Sequence, residues 1–214
     1  MKRFLLSLGL ILGLSAPALA QVPCAGVGGV NTVPQVGVAC LQEPNVNSYA
    51  ATSVALVPVA AGATDFFCIG GVANKVIRIQ QFRISGSATT LVTVPLTVMK
   101  HASLNTGGTL ATGTALPVPY ALDATDGAAG ATTRAWTANP TINDATPGII
   151  DSGNLALNLT SAAGTQMNLD YRARQFVEAF TLRTAAQEVC LNLNTTAVTG
   201  GLLYTTVQWT EAAQ

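Results

Sequence analysis

His101, the single histidine of the chain, has the widest range of possible chemistry. Ser103 lies close by, and a serine hydrolase needs a histidine base that is held by a carboxylate and contacts the serine. The sequence contains no Gly-x-Ser-x-Gly motif, and no acidic residue stands at a supportive spacing. We therefore predict that His101 is a solvent-exposed loop histidine and that the chain has no catalytic residue.

Two aspartates in the segment LDATDGAAG, Asp123 and Asp126, resemble part of a calcium-binding loop. Calcium takes about six to eight oxygen ligands, several of them usually carboxylates. Asp144 and Asp151 could join the pair only if folding brought them close. We predict a turn that is stabilised by an aspartate side chain, with no metal and no cofactor.

Glu178 interrupts the alternation of the segment QFVEAFTLR, because it shares parity with Phe176 and Phe180. A buried carboxylate must be paired or neutral. The arginines that could pair with it are Arg172, Arg174 and Arg183. A glycosidase needs a second carboxylate at about 5–9 Å, and the sequence does not place one. We predict a structural ion pair or a charge at a sheet edge.

The four cysteines are an even number, which allows two disulfides in three pairings. They are Cys24, Cys40, Cys68 and Cys190. Their spacing favours Cys24–Cys40 within an N-terminal arm and Cys68–Cys190 between two strands. The alternative is that Cys68 and Cys190 are reduced core residues. No Cys-x-x-Cys or Cys/His spacing indicates zinc.

Aromatic side chains raise the alternative of a sugar-binding platform. The candidates are Tyr120, Trp136, Tyr171, Tyr204 and Trp209. Aromatic residues make up only 6% of the chain, and Trp209 is in phase with the apolar residues Leu203 and Val207. Core packing is therefore the predicted role of these rings, with a surface glycan as the alternative partner.

The elements that must position these residues are β-strands, because apolar residues recur at every second position. The candidate strands are residues 54–59, 65–69, 75–85, 90–100, 117–122, 131–137, 154–160, 175–183, 187–194 and 202–211. Glycine pairs at strand boundaries predict hairpin turns. These pairs are Gly70–Gly71, Gly107–Gly108 and Gly200–Gly201.

Two candidate strands contain an irregularity. In KVIRIQQFRIS the apolar residues change parity between Ile79 and Phe82, which predicts a β-bulge at Gln80–Gln81. In TLVTVPLTVMK the alternation is regular, but Pro95 lacks an N–H donor. That strand should lie at an edge or carry a bulge at the proline.

Eight to ten short strands with turn residues between them predict an all-β fold. Alternation with period two is typical of antiparallel sheets that bury one face. We predict a single antiparallel β-sandwich of jelly-roll or Greek-key type, preceded by an N-terminal helical signal segment and an extended arm.

The N-terminal segment MKRFLLSLGLILGLSAPALA has the layout of a bacterial secretory signal peptide. Lys2 and Arg3 precede an apolar run, and Ala18-Leu19-Ala20 is a small-x-small cleavage site. The domains are then 1–20 signal peptide, 21–50 Gly/Pro-rich extended arm and 51–214 β-sandwich. Cleavage implies an exported protein, periplasmic or extracellular. Alternatively, residues 1–20 are a retained hydrophobic arm that docks on a neighbouring subunit.

Charge and hydropathy exclude several classes of partner. Only 9% of residues are charged, and no lysine or arginine cluster indicates nucleic acid or an anionic membrane. No apolar run after the leader approaches the roughly 20 residues of a membrane span. A polar but weakly charged surface favours protein partners or self-association.

Three parts of the chain resemble a group of β-rich proteins from tailed phages and prophages. They are the segment ATDFFCIGGVANKVIRIQQFRISGSATTLVTVPLTVMKHASLNTGGT, the segment DATDGAAGATTRAWTANPT and the closing NLNTTAVTGGLLYTTVQWTE. The resemblance covers roughly residues 50–211 and implies a virion-associated or decoration-type sandwich without an active site. The leader and the even cysteine count depart from it, since virion proteins assemble in the cytoplasm and rarely depend on disulfides.

The sequence therefore predicts a non-enzymatic structural or surface-binding protein of a phage-like particle or an exported assembly. The alternative location is the virion. The alternative functions are a secreted carbohydrate- or surface-binding module and, less favoured, a secreted hydrolase using Asp123, Asp126 or Glu178.

Overall fold

A computed structural model of the chain describes residues 46–59, 62–158, 166–172 and 180–214. These residues belong to one compact unit, Asn45–Gln214. The predicted leader, most of the predicted arm, Cys24, Cys40 and Glu178 lie outside the described residues. Among the described residues, no helix has the length and apolar character needed to cross a membrane.

The described chain is built from β-strands and one short 3-10 turn, Gly113–Ala115. The strands are β1 Asn47–Leu56, β2 Asp65–Gly70, β3 Lys75–Ser87, β4 Val92–His101, β5 Thr109–Leu110, β6 Tyr120–Ala121, β7 Thr132–Ala138, β8 Gly148–Leu157, β9 Met167–Asp170, β10 Thr181–Leu182, β11 Glu188–Asn192 and β12 Leu202–Ala213. The all-β prediction is confirmed. The two-residue strand β5 and the short strand β9 were not predicted.

Two antiparallel six-stranded sheets make up the sandwich. The first sheet has the order β10-β3-β12-β1-β6, with β9 also paired to β3. The second sheet has the order β5-β7-β2-β11-β4-β8. Among the described strands, no two that are consecutive in sequence pair with each other. The predicted hairpin turns at the glycine pairs are therefore wrong, because the strands that flank each pair in sequence do not pair with each other.

The core lies between the sheets and follows the predicted alternation. In β3 the buried apolar residues are the odd-numbered Ile77 and Ile79 before the irregularity and the even-numbered Phe82 and Ile84 after it. The second sheet contributes apolar side chains from every long strand that faces the first. Among them are Phe67, Ile69, Val94, Leu96, Val98, Leu155, Leu157, Val189 and Leu191.

The β-bulge predicted in β3 is confirmed at Gln80. Gln81 pairs with Gln208 of β12, and Ile79 pairs with the next residue, Trp209. Gln80 therefore has no partner on β12 and is the extra residue of the bulge. This insertion turns Ile79 and Phe82 to the same buried face.

The prediction for Pro95 holds in part. Strand β4 is internal, with β8 on one side and β11 on the other. The pairing with β11 covers only residues 97–101, whereas the pairing with β8 includes Pro95 opposite Asn154. Pro95 therefore lies where β4 has a neighbour on one side. No bulge occurs at the proline: the register shift in this pairing is opposite Val98–Met99, and its extra residue is Ile150 of β8.

Candidate functional site

The outer face of the second sheet carries a disulfide, Cys68–Cys190. The two residues are directly opposite each other on β2 and β11, and their Cα atoms are 4.1 Å apart. Alternation directs Phe67 and Ile69 to the core and Cys68 to the opposite face. This predicted pairing is confirmed, and the alternative of two reduced core cysteines is wrong. Both cysteines are fully buried and pack with Trp136.

A second bulge places a carboxylate beside this disulfide. Phe67 pairs with Leu191, and Asp65 pairs with the next residue, Asn192. Phe66 is therefore the extra residue of β2, and Asp65 lies on the outer face with Cys68 instead of following Phe67 into the core. Three side chains surround this buried carboxylate, which makes it the centre of the site.

The carboxylate of Asp65 accepts bonds on both oxygens. Asn192 Nδ2 donates to Oδ1 at 2.6 Å, and Asn105 Nδ2 donates to Oδ2 at 2.6 Å. His101 Nε2 lies 3.0 Å from the same Oδ2. The same Asn105 amide nitrogen is 3.7 Å from the Sγ of Cys190 and 4.0 Å from the Sγ of Cys68.

Glu188 forms the second half of this polar cluster. Its carboxylate pairs with the guanidinium of Arg134 and accepts the backbone N–H of Asn105 at 2.5 Å. Burial raises the pKa of Glu188, while the Asn105 N–H and the Arg134 charge oppose that rise. Arg134 also donates to the backbone oxygen of Asn105 at 2.8 Å. Its guanidinium carbon lies 5.3 Å from the centroid of the Trp136 ring.

The loop from Ala102 to Gly108 closes the cluster from outside. Thr106 and Thr141 exchange two backbone hydrogen bonds of 3.1 and 2.7 Å. Asp144 accepts the N–H of Ala102 at 2.7 Å. Gly108 has a φ of +69°, and a Cβ there would lie 2.7 Å from the oxygen of Ala138. The loop is therefore held at both ends, and Asn105 at its centre is buried.

The prediction of a solvent-exposed His101 is wrong. His101 is the last residue of β4, pairs with Glu188 of β11, and is fully buried. The reason is that the strand continues one residue further than expected and the following loop folds back over it. Burial lowers the pKa of His101, but the contact with Asp65 and the charge of Glu188 outweigh it, so the pKa is raised.

Asp65 supplies the carboxylate that a catalytic histidine needs, but the rest of a triad is not assembled. Neither ring nitrogen of His101 makes a hydrogen bond of regular geometry among the described residues, although Nε2 lies 3.0 Å from Asp65 Oδ2. No serine or threonine hydroxyl is therefore bound to the ring there. A nucleophile must contact its base. The dyad is sealed inside the protein, which favours a structural role or a site that opens.

The aspartates considered for calcium are held apart by their own partners. Asp123 accepts the backbone N–H of Thr125 at 2.9 Å, which confirms the predicted aspartate-stabilised turn. Asp126 accepts the N–H of Ser48, and Asp151 accepts the hydroxyl of Tyr171. In the described part of the chain, these aspartates belong to no group of three or more metal-ligating side chains.

The aromatic residues considered for a sugar-binding platform, and predicted to pack in the core, are divided between the inside and the outside of the protein, so the packing prediction is wrong for Tyr120 and Tyr204. Trp136, Tyr171 and Trp209 are buried, which confirms their predicted role in packing. Tyr120 and Tyr204 are exposed by 53% and 40%. Trp136 is covered by Arg134 and is therefore closed to a sugar ring.

Sequence reasoning missed most members of the cluster. They are Asp65, Asn105, Arg134, Glu188 and Asn192. One signal was present in QEVCLNLN, where Glu188, Cys190 and Asn192 share the parity opposite to the buried Val189 and Leu191. A cysteine between two polar residues on the outward side indicates that this side is covered. The bulge at Phe66 gave no comparable signal.

The comparisons with known proteins add no relatives. No protein-family model, curated protein or solved structure matches this chain.

Proposed function

We propose that this chain is a non-enzymatic, exported β-sandwich that acts through its surface, as a self-associating structural component of an assembly. The support comes from two features of the described residues. The polar cluster that could have been an active site is sealed. An exposed apolar row lies elsewhere, along the edge of the first sheet.

The apolar row consists of alternate residues on the segment that leads into and out of β6. They are Leu116, Val118, Tyr120 and Leu122, exposed by 39%, 62%, 53% and 50%. The segment from residue 116 to 122 contains no charged residue. Contiguous exposed apolar side chains of this kind mark interaction surfaces.

The backbone beneath the apolar row is fixed. The N–H of Leu122 donates to the backbone oxygen of Ser48 at 2.8 Å, and the hydroxyl of Ser53 donates to the backbone oxygen of Ala115 at 2.6 Å. Thr133 of the second sheet donates to the oxygen of Pro117 at 2.6 Å. A rigid backbone lowers the entropy cost of binding, because the side chains are held in place before the partner arrives.

Two prolines decide how this edge can be used. Pro117 and Pro119 have no N–H groups, and β6 pairs with β1 over only two residues. Addition of a further strand along the whole segment is therefore blocked. The apolar row must bind through its side chains, which suits packing of one subunit against another.

The disulfide is compatible with export, since such bonds persist in oxidising compartments. The resemblance to phage β-proteins makes a phage-like particle the favoured assembly within this proposal. The glycan-binding alternative is weaker, because Trp136 is closed to ligands. The hydrolase alternative rests on Glu178, outside the described residues, and on Asp123 and Asp126, which serve a turn and a strand contact.

Light scattering on the purified full chain over a range of concentrations tests the proposal. We expect a defined oligomer for the wild type and a monomer for the Val118→Lys/Tyr120→Lys variant, because two buried charges oppose association. Leu91→Lys is the matched control, since Leu91 is 73% exposed and precedes β4 of the second sheet. A wild type that stays monomeric, and that mass spectrometry does not find in particles, overturns the proposal.

A further inference from the structure

We propose that Cys68, Cys190, Asp65 and His101 form a redox-gated site for a zinc-like divalent cation. The site is closed while the disulfide is intact and opens when the two cysteines are reduced. The proposal does not depend on self-association. It rests on where the donor atoms lie and on what now occupies the space between them.

Three of the four donor atoms form one buried group, and the fourth, on His101, lies beside its carboxylate. One carboxylate oxygen of Asp65 and the sulfurs of Cys68 and Cys190 all lie within 4.8 Å of one another. His101 Nε2 is 3.0 Å from Asp65 Oδ2. Two thiolates, an imidazole and a carboxylate are the ligand types that zinc takes in tetrahedral sites, with bonds of about 2.0–2.3 Å.

The amide of Asn105 now lies against this buried group. Its Nδ2 is 2.6 Å from Asp65 Oδ2 and 3.7 and 4.0 Å from the two sulfurs. The N–H₂ group is the electropositive end of the amide, so the surrounding acceptors already hold a positive partial charge at their centre. A cation at the same place makes the same contacts with a larger charge.

The supports expected around a metal ligand are also present. Asn192 Nδ2 donates to Oδ1 of Asp65 at 2.6 Å, which fixes the carboxylate and leaves Oδ2 to the Asn105 amide and to His101. Such outer contacts fix ligand carboxylates in metal sites. The Arg134–Glu188 pair, in which the carboxylate is buried and the guanidinium is partly exposed, lies next to the site and balances its own charge.

Reduction supplies the two thiols that the site lacks in its closed form. A dithiol reductant attacks one sulfur of the disulfide, forms a mixed disulfide and releases the other cysteine as a thiol. Its second thiol then displaces the first cysteine, so the reductant leaves oxidised and both cysteines carry hydrogen. The cation replaces the two thiol protons, which are released to solvent, and binds Nε2 of a neutral His101 that carries its proton on Nδ1; an imidazolium releases its Nε2 proton as well. The side chain of Asn105 rotates away, while its backbone keeps the bonds to Glu188 and Arg134.

Titration of the full chain with Co²⁺ tests the proposal, because cobalt thiolates absorb where the free ion does not. The protein is reduced with a dithiol, freed of reductant by gel filtration without oxygen, and compared with the oxidised protein. We expect one equivalent of Co²⁺ to give the thiolate band in the reduced protein only, and Zn²⁺ to displace it. No band in the reduced wild type overturns the proposal.

Two double variants separate this site from the other cysteines. Cys24→Ser/Cys40→Ser should keep the band, and Cys68→Ser/Cys190→Ser should lose it. A band that survives in the second variant overturns the proposal. Asn192→Ala should weaken Co²⁺ binding by about 10–100-fold, whereas Asn105→Ala should strengthen it because the competing amide is gone.

Circular dichroism covers the case in which reduction unfolds the chain. If the reduced wild type loses its β-sheet signal, then Zn²⁺ should restore it, because metal binding contributes to folding. Failure of Zn²⁺ to restore the signal overturns the proposal as firmly as a missing Co²⁺ band.

Discussion

Arg134 is the residue whose loss should reveal the energetic cost of the buried cluster. Its guanidinium faces the fully buried carboxylate of Glu188 and also binds the oxygen of Asn105. Removing one partner of a buried ion pair leaves the other charge without compensation. This costs more than the intact pair contributes to stability.

We expect Arg134→Met to lower the free energy of unfolding by about 3 kcal/mol, measured by urea denaturation. Adding Glu188→Gln should recover part of the loss, since the uncompensated charge is removed. Arg83→Met on the exposed side of β3 is the control, with a change below about 0.5 kcal/mol. An Arg134→Met protein as stable as the control would contradict the role given to this pair.

His101 makes a second prediction possible at the residue scale. Burial opposes the charge of the imidazole, but the contact with Asp65 raises its pKa above the usual 6.5. The folded protein therefore holds this proton more tightly than the unfolded chain. The resulting stabilisation is complete below the unfolded pKa and is lost as the pH rises through the folded pKa.

Because the chain has one histidine, a single set of imidazole NMR signals reports this titration. We expect a midpoint above 6.5 in the wild type and a midpoint shifted downward in Asp65→Asn, whose amide no longer favours the imidazolium. A wild-type midpoint below 6.5 would mean that burial dominates and would contradict the assignment.

At the scale of elements, strand β3 shows how far sequence reasoning reaches. The change of apolar parity in KVIRIQQFRIS predicted the bulge, because side chains on both sides of Gln80 had to stay buried. Asp65 gave no such signal. Its bulge depends on the register with β11, a strand more than a hundred residues away in sequence, and local patterns carry no information about that register.

Deleting Gln80 tests the bulge directly. Without the extra residue, a regular strand turns Ile77 and Ile79 outward and brings Arg78 inward. We expect loss of cooperative unfolding and of the near-ultraviolet circular dichroism signal. Gln80→Ala keeps the bulge and the backbone bond from Tyr171 to Gln80, so it should unfold like the wild type. A cooperative deletion variant would show that the register can adjust.

At the scale of the whole molecule, the sandwich was predictable and the site was not. The alternation of apolar and polar residues within each strand can be read from neighbouring positions in the sequence, and this alternation predicts two sheets with one buried face each. The cluster combines β2, β4, β7, β11 and a covering loop, and none of these is close to all the others in sequence. His101 shows the consequence, since its burial depends on a loop that folds back only in the complete molecule.

Glu211 connects the two sheets at one end of the sandwich, and it makes the last prediction. It lies on β12 of the first sheet and accepts the N–H groups of Gly130 and Ala131, which lead into β7 of the second. Lys75 and the indole of Trp209 also donate to it, at 2.7 and 3.0 Å. Burial raises the pKa of Glu211, but these donors outweigh it, so the pKa is lowered from the usual 4.5.

The folded state therefore binds this proton more weakly than the unfolded chain. The stabilisation from Glu211 is complete above about pH 4.5 and is lost as the pH falls through the lower folded pKa.

We expect Glu211→Gln to lower the free energy of unfolding by about 3 kcal/mol near neutral pH, because an amide N–H₂ group faces other donors there. Its unfolding free energy should depend less on pH in acid than that of the wild type, measured by urea denaturation between about pH 3 and 7. The exposed Asp170→Asn is the matched control. An unchanged acid dependence in Glu211→Gln would show that other carboxylates, not this contact between the sheets, govern the loss of the fold in acid.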